Sequence, residues 1–166
     1  MSSPYPAIRF IVPGKPIAKG RPRLRVFKSS DGKFKGASTY TPEKTVRFES
    51  IVRDKAENVM EKYQLRPLQG LVKVHIKAFW EWPKSKFKKK DPLPEAYFSS
   101  KPDGDNVLKS LSDAINGICY LDDQQIVIAT IEKWRAKQGD PARSEITVWS
   151  LDKEWEITDK ESTTPG

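Results

Sequence analysis

Lys101-Pro-Asp-Gly-Asp-Asn-Val-Leu-Lys-Ser-Leu-Ser-Asp-Ala-Ile-Asn-Gly-Ile-Cys-Tyr-Leu-Asp-Asp-Gln-Gln-Ile126 carries, in order, an acidic turn, an amphipathic helix, a second acidic turn and the start of a strand. Val107, Leu108, Leu111, Ala114 and Ile115 recur at helical spacing, so the helix begins just after the Asp103-Gly104-Asp105 turn. It stops at Asn116-Gly117, where a glycine suits the left-handed residue that follows a helix. Asp122-Asp123 then leads straight into a strand over 125–134. If the helix doubles back and the strand returns, this topology brings Asp123 to Asp103 and Asp105 near the helix start.

The flanks supply the rest of an α+β architecture. Ala7 to Val12 reads as a first strand, ended by Pro13-Gly14. Leu71 to Trp80 reads as a strand with Lys73, His75 and Lys77 on one face, and Ser144 to Ser150 as another. Thr41-Pro42-Glu43 is a helix start, with Thr41 as cap, Pro42 in the first turn and Glu43 facing the helix dipole. Phe48, Ile51, Val52, Ala56, Val59, Met60 and Tyr63 continue at helical spacing, which predicts a helix from about Pro42 to Gln64. Two main helices therefore pack on a mixed sheet. The length of 166 residues fits a single domain, with a core over about 7–150 and a C-terminal extension over 152–166 that frays.

Composition excludes several classes. Apolar residues make up 37% of the chain, and the longest apolar run, Ile126 to Ala129, is far too short for a membrane span. Met1 to Pro6 lacks the charged and apolar regions of a signal peptide. Cys119 is the single cysteine, which rules out an internal disulfide or a cysteine-built zinc site and suits a reducing cytoplasm. His75 is the single histidine, so two-histidine chemistry is excluded, and its place on a strand marks it as non-catalytic.

The 30 Lys and Arg against 22 Asp and Glu give a net charge of +8, which favours a polyanionic partner because each neutralised phosphate releases counterions. The excess is concentrated in two places. Lys15, Lys19, Arg21, Arg23 and Arg25 lie in a stretch whose prolines and glycine forbid a regular helix. Lys84, Lys86, Lys88, Lys89 and Lys90 lie in a proline-flanked stretch that reads as a mobile loop, with Phe87 a candidate for stacking on a base. Both segments are expected to contact DNA; the bland alternative is a pair of solvated loops.

Asp103, Asp105 and Asp123 have the chemistry of a hard-cation site, since Mg2+ prefers oxygen ligands and keeps several waters. Lys109, four residues after Asp105 on the same helical face, would meet a phosphate or offset developing charge. Each feature also has an ordinary explanation. Asp-Gly is a common turn, an aspartate is a common helix cap, and Asp105 with Lys109 is a common i,i+4 ion pair. Asp113 lies two turns beyond Asp105 and is assigned a structural role.

These residues resemble the RusA family of Holliday junction resolvases, found in bacteria and their prophages. The matching run is Lys-Pro-Asp-x-Asp-Asn-x-x-Lys at Lys101 to Lys109, Asp-Ala-Ile-Asn-Gly at Asp113 to Gly117, and Tyr-x-Asp-Asp-x-Gln-Ile at Tyr120 to Ile126. Gly14 to Arg23 and Tyr40-Thr41-Pro42 are similar to a longer-loop branch of the family, so the likeness spans roughly 7–150. The resemblance implies an α+β homodimer that hydrolyses DNA phosphodiesters with Mg2+, Mn2+ being a substitute. It makes Asp103, Asp105 and Asp123 the metal ligands, with Asp122 the neighbouring alternative, and Lys109 the catalytic lysine. The implied substrate is a four-way DNA junction, cut by paired nicks in recombination and repair. Two other readings stay open: an inactive branched-DNA-binding module, and a nuclease of the same fold that prefers flaps or other replication intermediates.

Overall fold

A computed structural model describes residues 7–152. The expectations for Met1 to Pro6 and for the C-terminal extension beyond Asp152 lie outside the described residues. The strands are β1 (Ala7–Pro13), β2 (Arg23–Lys28), β3 (Phe34–Tyr40), β4 (Val72–Trp80), β5 (Ala96–Tyr97), β6 (Ile126–Arg135) and β7 (Arg143–Ser150). The helices are α1 (Glu43–Lys62) and α2 (Gly104–Ile115). Five strands form a mixed sheet in the order β1-β7-β4-β6-β5, in which β4 and β6 are parallel and the other pairs antiparallel. β2 and β3 pair separately as a hairpin. The fold is α+β, as its sequence pattern predicts.

Alternation in β4 explains the layering. Val72, Val74, Ile76 and Ala78 are fully buried, while Lys73, His75 and Lys77 are half-buried on the opposite face. The buried set joins Ile8, Val12, Ile146 and Val148 from β1 and β7 with Phe48, Val52, Ala56 and Met60 from α1 and Val107, Leu111, Ala114 and Ile115 from α2. Both helices therefore cover one face of the sheet. On the other face His75 hydrogen-bonds Thr130 at 2.5 Å and Glu132 at 2.8 Å. A packing role for His75 is the one this geometry supports.

Several local expectations change. α1 is shorter than predicted, and Pro42 occupies the cap position with no side-chain cap bond. Thr41 does not cap it. Instead the Thr45 hydroxyl accepts the Gly20 backbone N–H at 3.3 Å and ties the basic loop to the helix start. A side chain at Gly20 would meet Thr45 at 2.8 Å and Pro42 at 2.9 Å, so this close approach requires glycine. The buried stripe of α1 is also narrower: Ile51 is 38% exposed and Tyr63 60%.

The second half of the predicted basic loop is a strand. Arg23 and Arg25 belong to β2, whose six residues are all exposed, and β3 is exposed except for Gly36. No alternation into a core marks such a ribbon, so its strands are not legible in the sequence. The Lys84–Lys90 segment is tethered, not mobile. Gln138 takes the Lys88 and Leu93 N–H groups on its carbonyl and donates to the Lys88 carbonyl. Residues 84–86 form one turn of 3-10 helix. The two-residue strand β5 was also not anticipated.

Candidate active site

The start of α2 is pressed against the second half of β6. The Phe98 N–H donates to the Lys133 carbonyl at 2.9 Å, and Lys133 Nζ donates to the Ser100 carbonyl at 2.5 Å. Gly104 faces β6, where a Cβ would lie in ordinary van der Waals contact, 3.4 Å from Ile131 and 3.5 Å from Lys133. Asp103 is thereby fixed at the cap position, and Asp105 in the first turn. Both are exposed, at the end of a helix whose dipole favours negative charge.

Neither aspartate takes the ordinary role that would explain it away. Asp103 makes no side-chain cap bond to α2. Among the described residues Asp105 and Lys109 form no ion pair, although their spacing permits one. Among the described residues, Asp103, Asp105 and Lys109 are a carboxylate pair and an ammonium group without ion-pair partners on one exposed helix end.

Asp122 and Asp123 are built differently. Asp122 starts a 3-10 turn over Asp123–Gln125 and accepts the Gln124 N–H at 2.9 Å. Gln125 closes the box by accepting the Leu121 and Asp122 N–H groups, each at 2.8 Å. Its amide nitrogen donates to the Leu68 and Gly70 carbonyls, both at 2.9 Å, which anchors the acidic turn to the chain leading into β4. Tyr120 is buried below it and donates to the Ser112 carbonyl at 2.5 Å. The positioning role of Gln125 was missed, although Asp122-x-x-Gln125 has the spacing of a capping box. The Gln124 N–H, then the Asp123 carboxyl, hold Asp122 below the usual carboxylate range. The hydrogen bond to Asp122, then burial and that carboxylate's charge, raise Asp123.

The predicted trio does not meet within one chain. Beyond its neighbour Asp122, the acidic group whose charge acts on Asp123 is Asp113, near the other end of α2. Ten residues of helix separate Asp103 from Asp113, roughly 15 Å at 1.5 Å per residue. No set of three or more His, Cys, Asp or Glu side chains among the described residues is gathered to hold a metal. The expectation that α2 doubles back to bring Asp123 to the helix start fails, because β6 begins beside the C-terminal end of α2 and only later passes under its N-terminus.

The cationic residues divide as well. Lys15 and Lys84 line one cavity with Lys101 and Arg135. Arg21 is exposed just before the hairpin, Arg23 and Arg25 stand on it, and Lys86, Lys88, Lys89 and Lys90 are exposed on the tethered loop. Lys19 is different. Its ammonium lies 2.6 Å from Glu49 on α1 and 3.4 Å from Asp113 on α2. Burial would lower its pKa, but the hydrogen bond and charge of Glu49, then Asp113, hold it above the ordinary lysine value. Lys19 therefore ties the two helices together, with Glu49 its partner on α1 and Asp113 its partner on α2.

Residues 13–148 match the family model described as Endodeoxyribonuclease RusA. The uncharacterized protein YqaN of Bacillus subtilis (strain 168) is 31% identical over 139 residues, which is 79% of this chain and 89% of that one. The family match runs through β1's last residue, the hairpin, both helices, the two acidic turns and most of β7. The chain belongs to the RusA endodeoxyribonuclease family.

Proposed function

We propose that this protein is a metal-dependent endodeoxyribonuclease that resolves four-way DNA junctions by paired symmetric nicks, acting as a homodimer. The observation that carries the reading is the free Asp103–Asp105 pair at the exposed start of α2, within a chain of an endonuclease family. The donor chemistry suits a hard divalent cation such as Mg2+, with Mn2+ as a substitute: exposed carboxylate oxygens with no cap bond or ion pair to compete. When bound, the ion would polarise the scissile phosphate and supply an activated water. Lys109, one turn along the same face, would meet a phosphate oxygen and offset charge that develops on it. Gln125 holds the acidic turn in place through its four hydrogen bonds.

Dimerisation would reunite the ligands. β5 covers the outer edge of β6 only at Trp134 and Arg135, with the Phe98 bond at Lys133 just beyond. From Ile126 to Glu132 that edge has no strand partner among the described residues, and Val127 and Ile128 are 53% and 40% exposed. An apolar edge of this kind is a template for pairing. Antiparallel pairing of two such edges about a two-fold axis would carry the acidic turn of one copy toward the start of α2 in the other. Asp103 and Asp105 would then work with the partner's Asp123, the partner's Asp122 being the adjacent alternative. Two identical sites related by a two-fold match the two opposed cuts a junction needs.

The test is cleavage of a synthetic four-way junction with and without Mg2+ or Mn2+, beside a flap and a linear duplex. Metal-dependent, symmetric nicking of the junction, lost in Asp103→Asn and Asp123→Asn with binding retained, is the expected result. Binding without any nicking would make the chain a DNA-binding module. Stronger cleavage of the flap would reassign the substrate.

A further inference from the structure

A cavity of about 610 Å³ opens where the C-terminal ends of β4 and β6 meet the basic segment after β1. Its lining joins parts of the chain that are distant in sequence: Lys15, Trp82, Lys84, Phe98, Lys101 and Arg135. Lys101 and Pro102, on its wall, immediately precede Asp103. The cavity therefore adjoins the carboxylate pair.

Its chemistry is narrow. Four cations line it against one carboxylate, Glu81, which already accepts the Ala142 N–H at 3.4 Å. The Arg135 guanidinium stacks over Phe98 with its carbon 4.0 Å from the ring centroid, stands 5.7 Å from that of Trp82, and donates to the Glu81 carbonyl at 2.7 Å. Trp82 is itself fixed by donating to the Pro94 carbonyl at 3.1 Å. The wall is thus a set of immobilised flat groups, while the lysines on the rim are exposed. Trp80 also lines the cavity, and its indole N–H is buried with no hydrogen-bond partner among the described residues.

We propose that this cavity takes one unstacked nucleotide of a branched DNA strand, with its base against the Trp82–Phe98–Arg135 wall and its phosphate among Lys15, Lys84 and Lys101. Flat π surfaces and guanidinium planes accept any base by stacking. A base in an intact duplex is held by its neighbours, whereas one at a branch point leaves the stack at lower cost. The pocket would hold the nucleotide beside the phosphate presented to Asp103, so that branching itself is what the enzyme reads. The proposal rests on the reading of the chain as a branched-DNA nuclease and adds the element that recognises the branch.

The experiment is photocrosslinking by the full chain, in the presence of EDTA so that the strands stay intact. 5-Iododeoxyuridine is placed in turn at each position flanking the crossover of a four-way junction, and at the same positions in a linear duplex. Crosslinked peptides are then identified by mass spectrometry, with a gel shift on the same samples. The expected result is a crosslink to Trp82 or Phe98 from a position at the crossover, in preference to the duplex. It should fall about ten-fold or more in Trp82→Ala and in the rim variant Lys84→Glu, and be kept in Trp82→Phe. Crosslinks that map elsewhere, arise equally from duplex, or survive both variants would overturn the pocket while a retained shift leaves the nuclease reading standing. Absence of any junction shift would overturn both.

Discussion

A metal site shared between two copies has a consequence that no site within one chain can imitate. Asp103→Asn and Asp123→Asn homodimers each lack one ligand in both sites. If several kcal/mol of transition-state charge stabilisation depends on a bound ion, each variant should lose roughly 10²-fold or more of its activity. Asparagine at 103 is a mild change to the fold, because Asp103 makes no cap bond to lose. Now let the two variants, carrying different tags, be co-expressed and the mixed dimer isolated by both tags in succession. If Asp103 of one copy works with the partner's Asp123, one site of the mixed dimer carries both substitutions and the other carries neither. Activity should return to about half that of wild type per dimer, and each dimer should make one nick instead of two. A supercoiled plasmid with an extruded cruciform separates these outcomes, since one nick gives open circle and two opposed nicks give the linear form. The structure supplies the reason to expect this: among the described residues Asp103, Asp105 and Asp123 are not gathered into a metal-holding set, Asp103 capping the start of α2 and Asp123 lying in the turn beyond its end. A mixed dimer no more active than its parents would refute the shared site. Failure to recover any mixed dimer would refute the dimer.

The remaining expectations concern stability and support. Lys19→Met should cost about 1 kcal/mol in urea unfolding, with the loss shrinking at high salt, because its ion pairs with Glu49 and Asp113 are partly screened. Gln125→Ala removes four hydrogen bonds that hold the acidic turn and should lower stability by about 1–3 kcal/mol; junction cleavage should fall while junction binding by gel shift is kept. Ile76→Ala, at a fully buried position in the central strand, should cost about 2–5 kcal/mol in the same denaturation. Cys119 is buried and its thiol is pushed up to about 12, so a thiol reagent should label it only after unfolding. The unfolded thiol ionises first as pH rises, so the native state binds more protons between about pH 9 and 12 and stability falls across that window. Cys119→Ala should flatten the alkaline limb of the stability curve.

How much was legible follows from where each element buries its side chains. β4 writes its layering into strict alternation, and α2 into the run from Val107 to Ile115, so both were readable to within a residue or two. The β2–β3 ribbon buries almost nothing and left no periodic trace beyond its turn. Gln138 shows a different failure: one side chain ties down a lysine-rich loop 50 residues away, and no local pattern announces such a contact. Lys19 shows the converse. Its neighbours in sequence are cations, which suggested a phosphate ligand, but its neighbours in space are Glu49 and Asp113.

Asp103, Asp105 and Asp123 are candidates by their chemistry, and their geometry is not written in the sequence, for a reason more general than this chain. A linear pattern marks which carboxylates are candidates for a site, but not whether one copy of the chain would supply them all. Asp103 caps the start of α2, whereas Asp123 lies beyond its end, in the turn that leads into β6 and its parallel pairing with β4. If these aspartates share one site, a symmetric contact along β6's open edge would be the simplest operation to bring them together. Charge at that edge gives the independent check. Ile128→Lys places like charges across any antiparallel β6 pairing near its two-fold centre, so it should yield a folded monomer by sedimentation; a stable dimer would place the contact elsewhere.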